Sequence, residues 1–124
     1  MMPKKKILVV DDVKDFLIMI KARLESAGYN VDTASNGLQG FNMAKAIRPA
    51  LIITDIMMPQ LDGYSMVKRL KEDDLTTNIP VIVISVKETM RDLFAKLGVN
   101  HYFAKPFDAA ELLRTIKDLL AFDG

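Results

Sequence analysis

Four short apolar runs in the chain each end in a side chain able to do polar chemistry. Ile7 to Val10 runs into Asp11 and Asp12, Leu51 to Thr54 into Asp55, Val81 to Ile84 into Ser85, and His101 to Ala104 into Lys105. Three carboxylates, a hydroxyl and an amine, if brought together, suit a hard cation beside one small anion. Carboxylates ~4 Å apart repel by about 4 kcal/mol at an effective dielectric of 20, so three in one pocket take up protons unless a cation joins them. Oxygen donors without His or Cys favour magnesium over zinc, with Asp12 and Asp55 as direct ligands and Asp11 a candidate through water. Taken singly, an aspartate is more often a cap or turn former, Ser85 a cap, Lys105 a surface lysine and Tyr102 a half-buried packing residue. Only their joint placement favours a site.

The elements that must position these groups follow from hydrophobic periodicity. Ile7 to Val10 and Leu51 to Thr54 are continuous apolar runs of the kind buried on both faces of a parallel sheet, and Asp55 falls at the tip of its strand. Asn30 to Ala34 is more polar and reads as an edge strand. Val81 to Ile84 and His101 to Ala104 complete five strands. Between them, spacings of three and four place helices over about Lys14 to Ala27, from Asn36 and Gly37 to Ile47, from Gly63 through Leu70, around Met90, Leu93, Phe94 and Leu97, and from an Asp108 cap to Leu120. Gly28 and Gly98 read as helix terminators, and Glu72 to Asn78 as an exposed loop. Phe16, Ile18 and Met19 widen the apolar surface of the first helix, which implies either deep burial or a docking face, burial being the expectation.

Alternating strands and helices imply an α/β doubly wound parallel sheet in a single domain over residues 1–124, because parallel neighbours require right-handed crossovers. Ligands in such sheets bind beyond the strand C-terminal ends where strand order reverses. The four reactive ends converge there. Half of the 124 residues are hydrophobic, enough to bury a core without staples, and 17 Lys and Arg against 16 Asp and Glu give no basic footprint for nucleic acid or acidic membrane. Cysteine is absent, which excludes thiol catalysis, disulfides and thiolate metal sites. No apolar run approaches a membrane span, Met1 to Lys6 lacks a signal-peptide apolar region, and a cytoplasmic protein is the expectation. Lys4 to Lys6 read as a solvated lead-in to the first strand, and His101 as a packing or surface residue.

From about Lys5 to Ala121 the sequence resembles the receiver domain of two-component response regulators, of the single-domain, CheY-like kind. The resemblance is carried by Asp11 with Asp12, by Asp55 followed by Met58, Pro59, Asp62 and Gly63, by Ser85 and Tyr102, and by Lys105 with Pro106 and Phe107. It implies a flavodoxin-like five-stranded sheet in the order 2-1-3-4-5. It further implies that Asp55 accepts a phosphoryl group from a phosphohistidine on a sensor histidine kinase or histidine phosphotransferase. Magnesium would be held by Asp12, Asp55 and the backbone carbonyl of Met57, with Asp11 beside them. Lys105 would pair with phosphoryl oxygens, Ser85 would move to bond one of them, and Tyr102 would swing inward, altering the surface of helix 4, strand 5 and helix 5. A cis Lys105–Pro106 bond is expected. The chain would catalyse only its own phosphorylation and dephosphorylation. Its output would be a downstream protein target or an attached output domain, with no direct nucleic-acid or membrane contact, as a monomer or a phosphorylation-dependent dimer. The region of Phe16 and Met19 would help to dock the phosphodonor protein.

A haloacid dehalogenase-type phosphatase would place its general acid at Met57, which has no proton to give, and a flavin module would need a phosphate-binding loop where Asp11 and Asp12 stand. A receiver acting as a phosphate-independent binding module, or as a fragment of a larger regulator or hybrid kinase, stays open. One departure from the family is Val86, where a small residue is usual; a β-branched side chain there should narrow access to the site, unless it packs under the fourth helix. Met57 and Lys87 occupy family positions that influence the attacking water, and a thioether accepts too weakly to orient it, so hydrolysis of the phosphoryl group should be slow.

Overall fold

In the computed structural model, which describes residues 4–121, five parallel strands form one sheet in the order β2-β1-β3-β4-β5. The strands are β1 (Lys6–Val10), β2 (Asn30–Ala34), β3 (Leu51–Thr54), β4 (Val81–Ser85) and β5 (His101–Ala104). The helices are α1 (Lys14–Ser26), α2 (Gly37–Ile47), α3 (Gly63–Glu72), α4 (Arg91–Lys96) and α5 (Ala109–Leu120). The sheet order expected from the resemblance is the one found. Met1 to Pro3 and Phe122 to Gly124, the ends of the expected 1–124 domain and the start of the expected leaderless segment, lie outside the described residues. No helix among the described residues is long and apolar enough to cross a membrane.

Alternation along the strands divides the core into two layers. Leu8, Val10, Ile52, Val81 and Val83 face α2, α3 and α4, meeting Ala44, Met66, Val67, Leu70 and Phe94. Ile7, Val9, Leu51, Ile53, Ile82 and Ile84 face α1 and α5, meeting Ile20, Leu24, Leu112, Ile116 and Leu120. Both faces of β1, β3 and β4 are covered, which is why those strands are continuously apolar. Leu8 pairs with Ile52 and Ile52 with Val81, a register that sets the ends of β1 and β3, Val10 and Thr54, level with Val83, while β4 runs two residues further to Ser85.

The ends of the helices are set by local chemistry. Asn36, Asp62 and Asp108 cap α2, α3 and α5, each side chain accepting from backbone N–H groups of the first turn. Gly28 and Gly98 take positive φ just past α1 and α4, as their positions in the sequence imply. Arg48, at φ 46°, does the same for α2, so the left-handed residue is the arginine and the following Pro49 only prevents continuation.

Three expectations are corrected. Ile18 and Met19 are not buried but exposed, because α1 uses Ile20 and Leu24 against the sheet and turns those two outward. The segment after α3 is not an exposed loop throughout: Thr76 is buried, its Oγ1 donating to the Leu70 carbonyl at 2.6 Å and closing the end of α3. The fourth helix is shorter than its apolar spacing suggests, with Met90 before it, Leu97 after it, Leu93 exposed and Phe94 its one buried residue.

Candidate functional site

Asp55 is the first residue beyond β3, and its main chain is fixed on every side. Its N–H donates to the Val10 carbonyl at 3.0 Å, tying the tip of β3 to β1. The Thr54 hydroxyl donates to the Asp55 carbonyl at 2.8 Å. The Gly63 N–H donates to the Ile56 carbonyl at 2.7 Å, and a Cβ on Gly63 would collide with the Asp55 carbonyl oxygen, so only glycine lets α3 start this close. Within the carboxylate, Oδ1 accepts from the Ile56 N–H at 2.6 Å. Oδ2 faces the Lys105 ammonium at 3.2 Å.

Asp11 and Asp12 reach the same point from the end of β1. Asp11 is fully buried; its Oδ1 accepts from the Val13 N–H at 2.9 Å and its Oδ2 meets Lys105 Nζ at 2.8 Å. Asp12 is exposed and lines the mouth of the site. Carboxylate oxygens of Asp11, Asp12 and Asp55 all lie within 4.8 Å of one another, an oxygen-only set that suits a hard divalent cation. Burial, partly opposed by the bond from Lys105, pushes the Asp11 carboxyl above its ordinary range. Burial alone would lower Lys105, but Asp11 and then Asp55 outweigh it and hold the ammonium above its ordinary value. Lys105 therefore stays charged between two carboxylates.

Ser85 ends β4, fully buried, and its carbonyl accepts from the Lys105 N–H at 3.0 Å, which seats the lysine opposite Asp55. The Lys105–Pro106 bond is cis, as the resemblance implies. The Ser85 Oγ accepts from the Lys87 N–H at 3.1 Å, and the Lys87 carbonyl accepts from the Tyr102 hydroxyl. The residue between Ser85 and Lys87 in the chain is Val86, 69% exposed, which neither packs under α4 nor closes the acidic side of the site. It lines a groove with Phe16, Met19, Arg23, Lys105 and Phe107 on the α1 side. Met57 and Lys87 line a different opening, a cavity of about 710 Å³ with Asp12, Met58, Tyr64 and Met90. The two mouths thus reach the site from different sides, one at Asp12 and the other at Lys105.

Sequence reasoning missed Thr54, Gly63's contact with Asp55, the Ile56 N–H that occupies Oδ1, and the stacking of Lys105 Nζ over Phe16 at 4.2 Å. Thr54 left a faint signal, a hydroxyl at the end of an otherwise apolar run. The others depend on how the elements are brought together in space and leave none.

The description "response regulator receiver domain" matches residues 7–117 of the chain. The chain belongs to that family. Among relatives, it is 34% identical over 117 residues to the DNA-binding dual master transcriptional regulator RpaA of Synechocystis, across 93% of this chain and 48% of that protein. It is 36% identical over 118 residues to Protein PilH of Pseudomonas aeruginosa, across 94% of this chain and 98% of that one. The chain thus spans about half the length of the first curated relatives it matches, PilH being of similar length. In structure it resembles the receiver domain of the sensor histidine kinase PA1611 from Pseudomonas aeruginosa, with TM-score 0.87 and 31% identity over 95% of this chain and 98% of the other. That structure has a magnesium ion coordinated in the active-site cleft.

Proposed function

We propose that this receiver domain is a phosphoacceptor in which Asp55 Oδ2 takes a phosphoryl group from a phosphohistidine on a histidine kinase or phosphotransferase. The observation that carries the reading is the division of labour within the Asp55 carboxylate. Oδ1 is engaged by the Ile56 N–H, while Oδ2 is turned to the Lys105 ammonium. Transfer of this kind depends mainly on alignment and on neutralising phosphoryl charge. Oδ2 forms its bond to phosphorus as the bond from phosphorus to the donor imidazole nitrogen breaks. The imidazole leaves with that electron pair and is protonated by solvent.

Lys105, kept protonated by Asp11 and Asp55, neutralises charge on the phosphoryl oxygens. Ser85 accepts from the Lys87 N–H, which does not use its own proton, so its hydroxyl is able to donate to a phosphoryl oxygen. Asp11, Asp12, Asp55 and the Met57 carbonyl are the groups that would hold magnesium, which when bound supplies further neutralisation of the carboxylates and the phosphoryl group. The acidic triad fits that ion, and it includes no nitrogen or sulfur donor. The chain acts on no other substrate; it modifies itself, and the acyl phosphate is the signal.

The signal's first step is short. Ser85, the Lys87 peptide and the Tyr102 hydroxyl form a run of hydrogen bonds from the site to β5. A new partner for Ser85 changes its bond to Lys87, and through Lys87 it changes Tyr102. Intact-mass measurement with acetyl phosphate and magnesium tests the assignment: wild type gains one phosphoryl group and Asp55→Asn gains none. An equal gain in the variant overturns it, and no gain in wild type favours a phosphate-independent binding module.

A further inference from the structure

Tyr102 sits 7% exposed, and the packing around its ring shows what holds it. Phe94 meets it at a centroid distance of 6.0 Å, inclined by 60°, and Tyr64 meets Phe94 edge-on at 5.5 Å, so the inner side is a continuous run of aromatic contacts from α3 through α4 to β5. The outer face is covered by Arg91, whose guanidinium carbon lies 4.8 Å from the Tyr102 ring centre. Glu88 holds that guanidinium at 3.4 Å from the solvent side. The phenol itself is tied to the Lys87 carbonyl. Glu88, Arg91 and Lys87 all belong to the segment between β4 and the first turn of α4, the same segment that Ser85 anchors.

We infer that Arg91 is the positioning residue for Tyr102, a cationic cover that holds the ring in its buried position. A guanidinium over a tyrosine face attracts through the ring quadrupole, and at an exposed site the effect changes a two-state ratio by about two- to five-fold. That is enough to move the resting balance of Tyr102 without fixing it, so the same ring still responds when Ser85 changes partner. The inference rests on the phosphoacceptor reading only for its signalling consequence: a resting domain already biased toward the buried ring shows a small further change on phosphorylation. Arg91 is exposed and its backbone N–H to the Glu88 carbonyl survives any side-chain change, so truncation leaves the fold intact.

Ring-labelled tyrosine NMR of the unmodified protein is the test. In wild type, Tyr102 shows nuclear Overhauser contacts to Phe94 and to the Arg91 side chain. In Arg91→Ala the buried population falls by about two- to five-fold relative to the exposed one, the Phe94 contact weakens accordingly, and acetyl phosphate with magnesium restores it. Arg91→Lys, which keeps the charge but not the planar face, falls between the two. A Tyr102–Phe94 contact of wild-type intensity in Arg91→Ala overturns the inference. Loss of the contact in Arg91→Ala with no phosphoryl mass gain in either protein leaves Arg91 as the positioning residue and removes the phosphoacceptor reading instead.

Discussion

Asp11 and Asp12 are neighbours in sequence and opposites in environment. Asp11 has both oxygens engaged, one by the Val13 N–H and one by Lys105, and is fully buried; Asp12 is exposed beside Asp55. Asp12→Ala therefore weakens magnesium binding more than Asp11→Ala, whose loss, as that of an outer partner, costs on the order of 10- to 100-fold. Calorimetric affinities that are equal for the two variants contradict this assignment. Val86 is the second residue whose environment decides a prediction. Its side chain stands in solvent on the α1 side, in the groove that also holds Lys105, so it narrows one approach to the phosphoryl position. Val86→Ala speeds phosphorylation by small donors and loss of phosphate alike, whereas Met57→Asn, on the other mouth, speeds mainly the loss because an amide orients water better than a thioether. Stopped-flow rates for Val86→Ala equal to wild type end the gating role.

At the scale of elements, the placement of the site depends on how closely α3 starts behind β3. Gly63 has no room for a methyl group against the Asp55 carbonyl, so Gly63→Ala must push the two elements apart. It costs about 3 kcal/mol in chemical denaturation and slows phosphorylation of Asp55; an unchanged unfolding midpoint means that the loop absorbs the methyl group. The strands, their order and the apolar helix faces were legible in the sequence because buried parallel strands are continuous apolar runs and helices carry a period near 3.6. The ends of those strands located Asp11, Asp55, Ser85 and Lys105. Illegible were the outward turn of Ile18 and Met19, since periodicity cannot say which of two apolar stripes meets the sheet, and the burial of Thr76, a polar residue that goes inside because it closes the Leu70 carbonyl. Thr54 left only a hydroxyl at the end of an apolar run, and Ile56 was invisible as a site residue because it acts through its backbone N–H.

Across the whole molecule, the acidic end of the sheet and the α4–β5 surface are connected by hydrogen bonds through one peptide. Ser85→Ala removes the acceptor for the Lys87 N–H and leaves Asp55 and Lys105 untouched, so the variant still takes up phosphoryl groups but no longer passes the event to Tyr102. Wild-type chemical-shift changes at Tyr102 in phosphorylated Ser85→Ala would exclude this route. The connection toward α1 has a different basis. The Lys105 ammonium is held by Asp11 and Asp55 and lies over the Phe16 ring, while Phe16 packs edge-on to Phe107 at 6.0 Å. One cation thus has three claimants, two anionic and one aromatic, and a phosphoryl group would be a fourth and the most highly charged. A domain that has received its phosphate would then present a Phe16 surface with a weakened cationic neighbour. A protein docked on that surface would meet a different face after the transfer than before it, which lets donor and product part without any helix having to move.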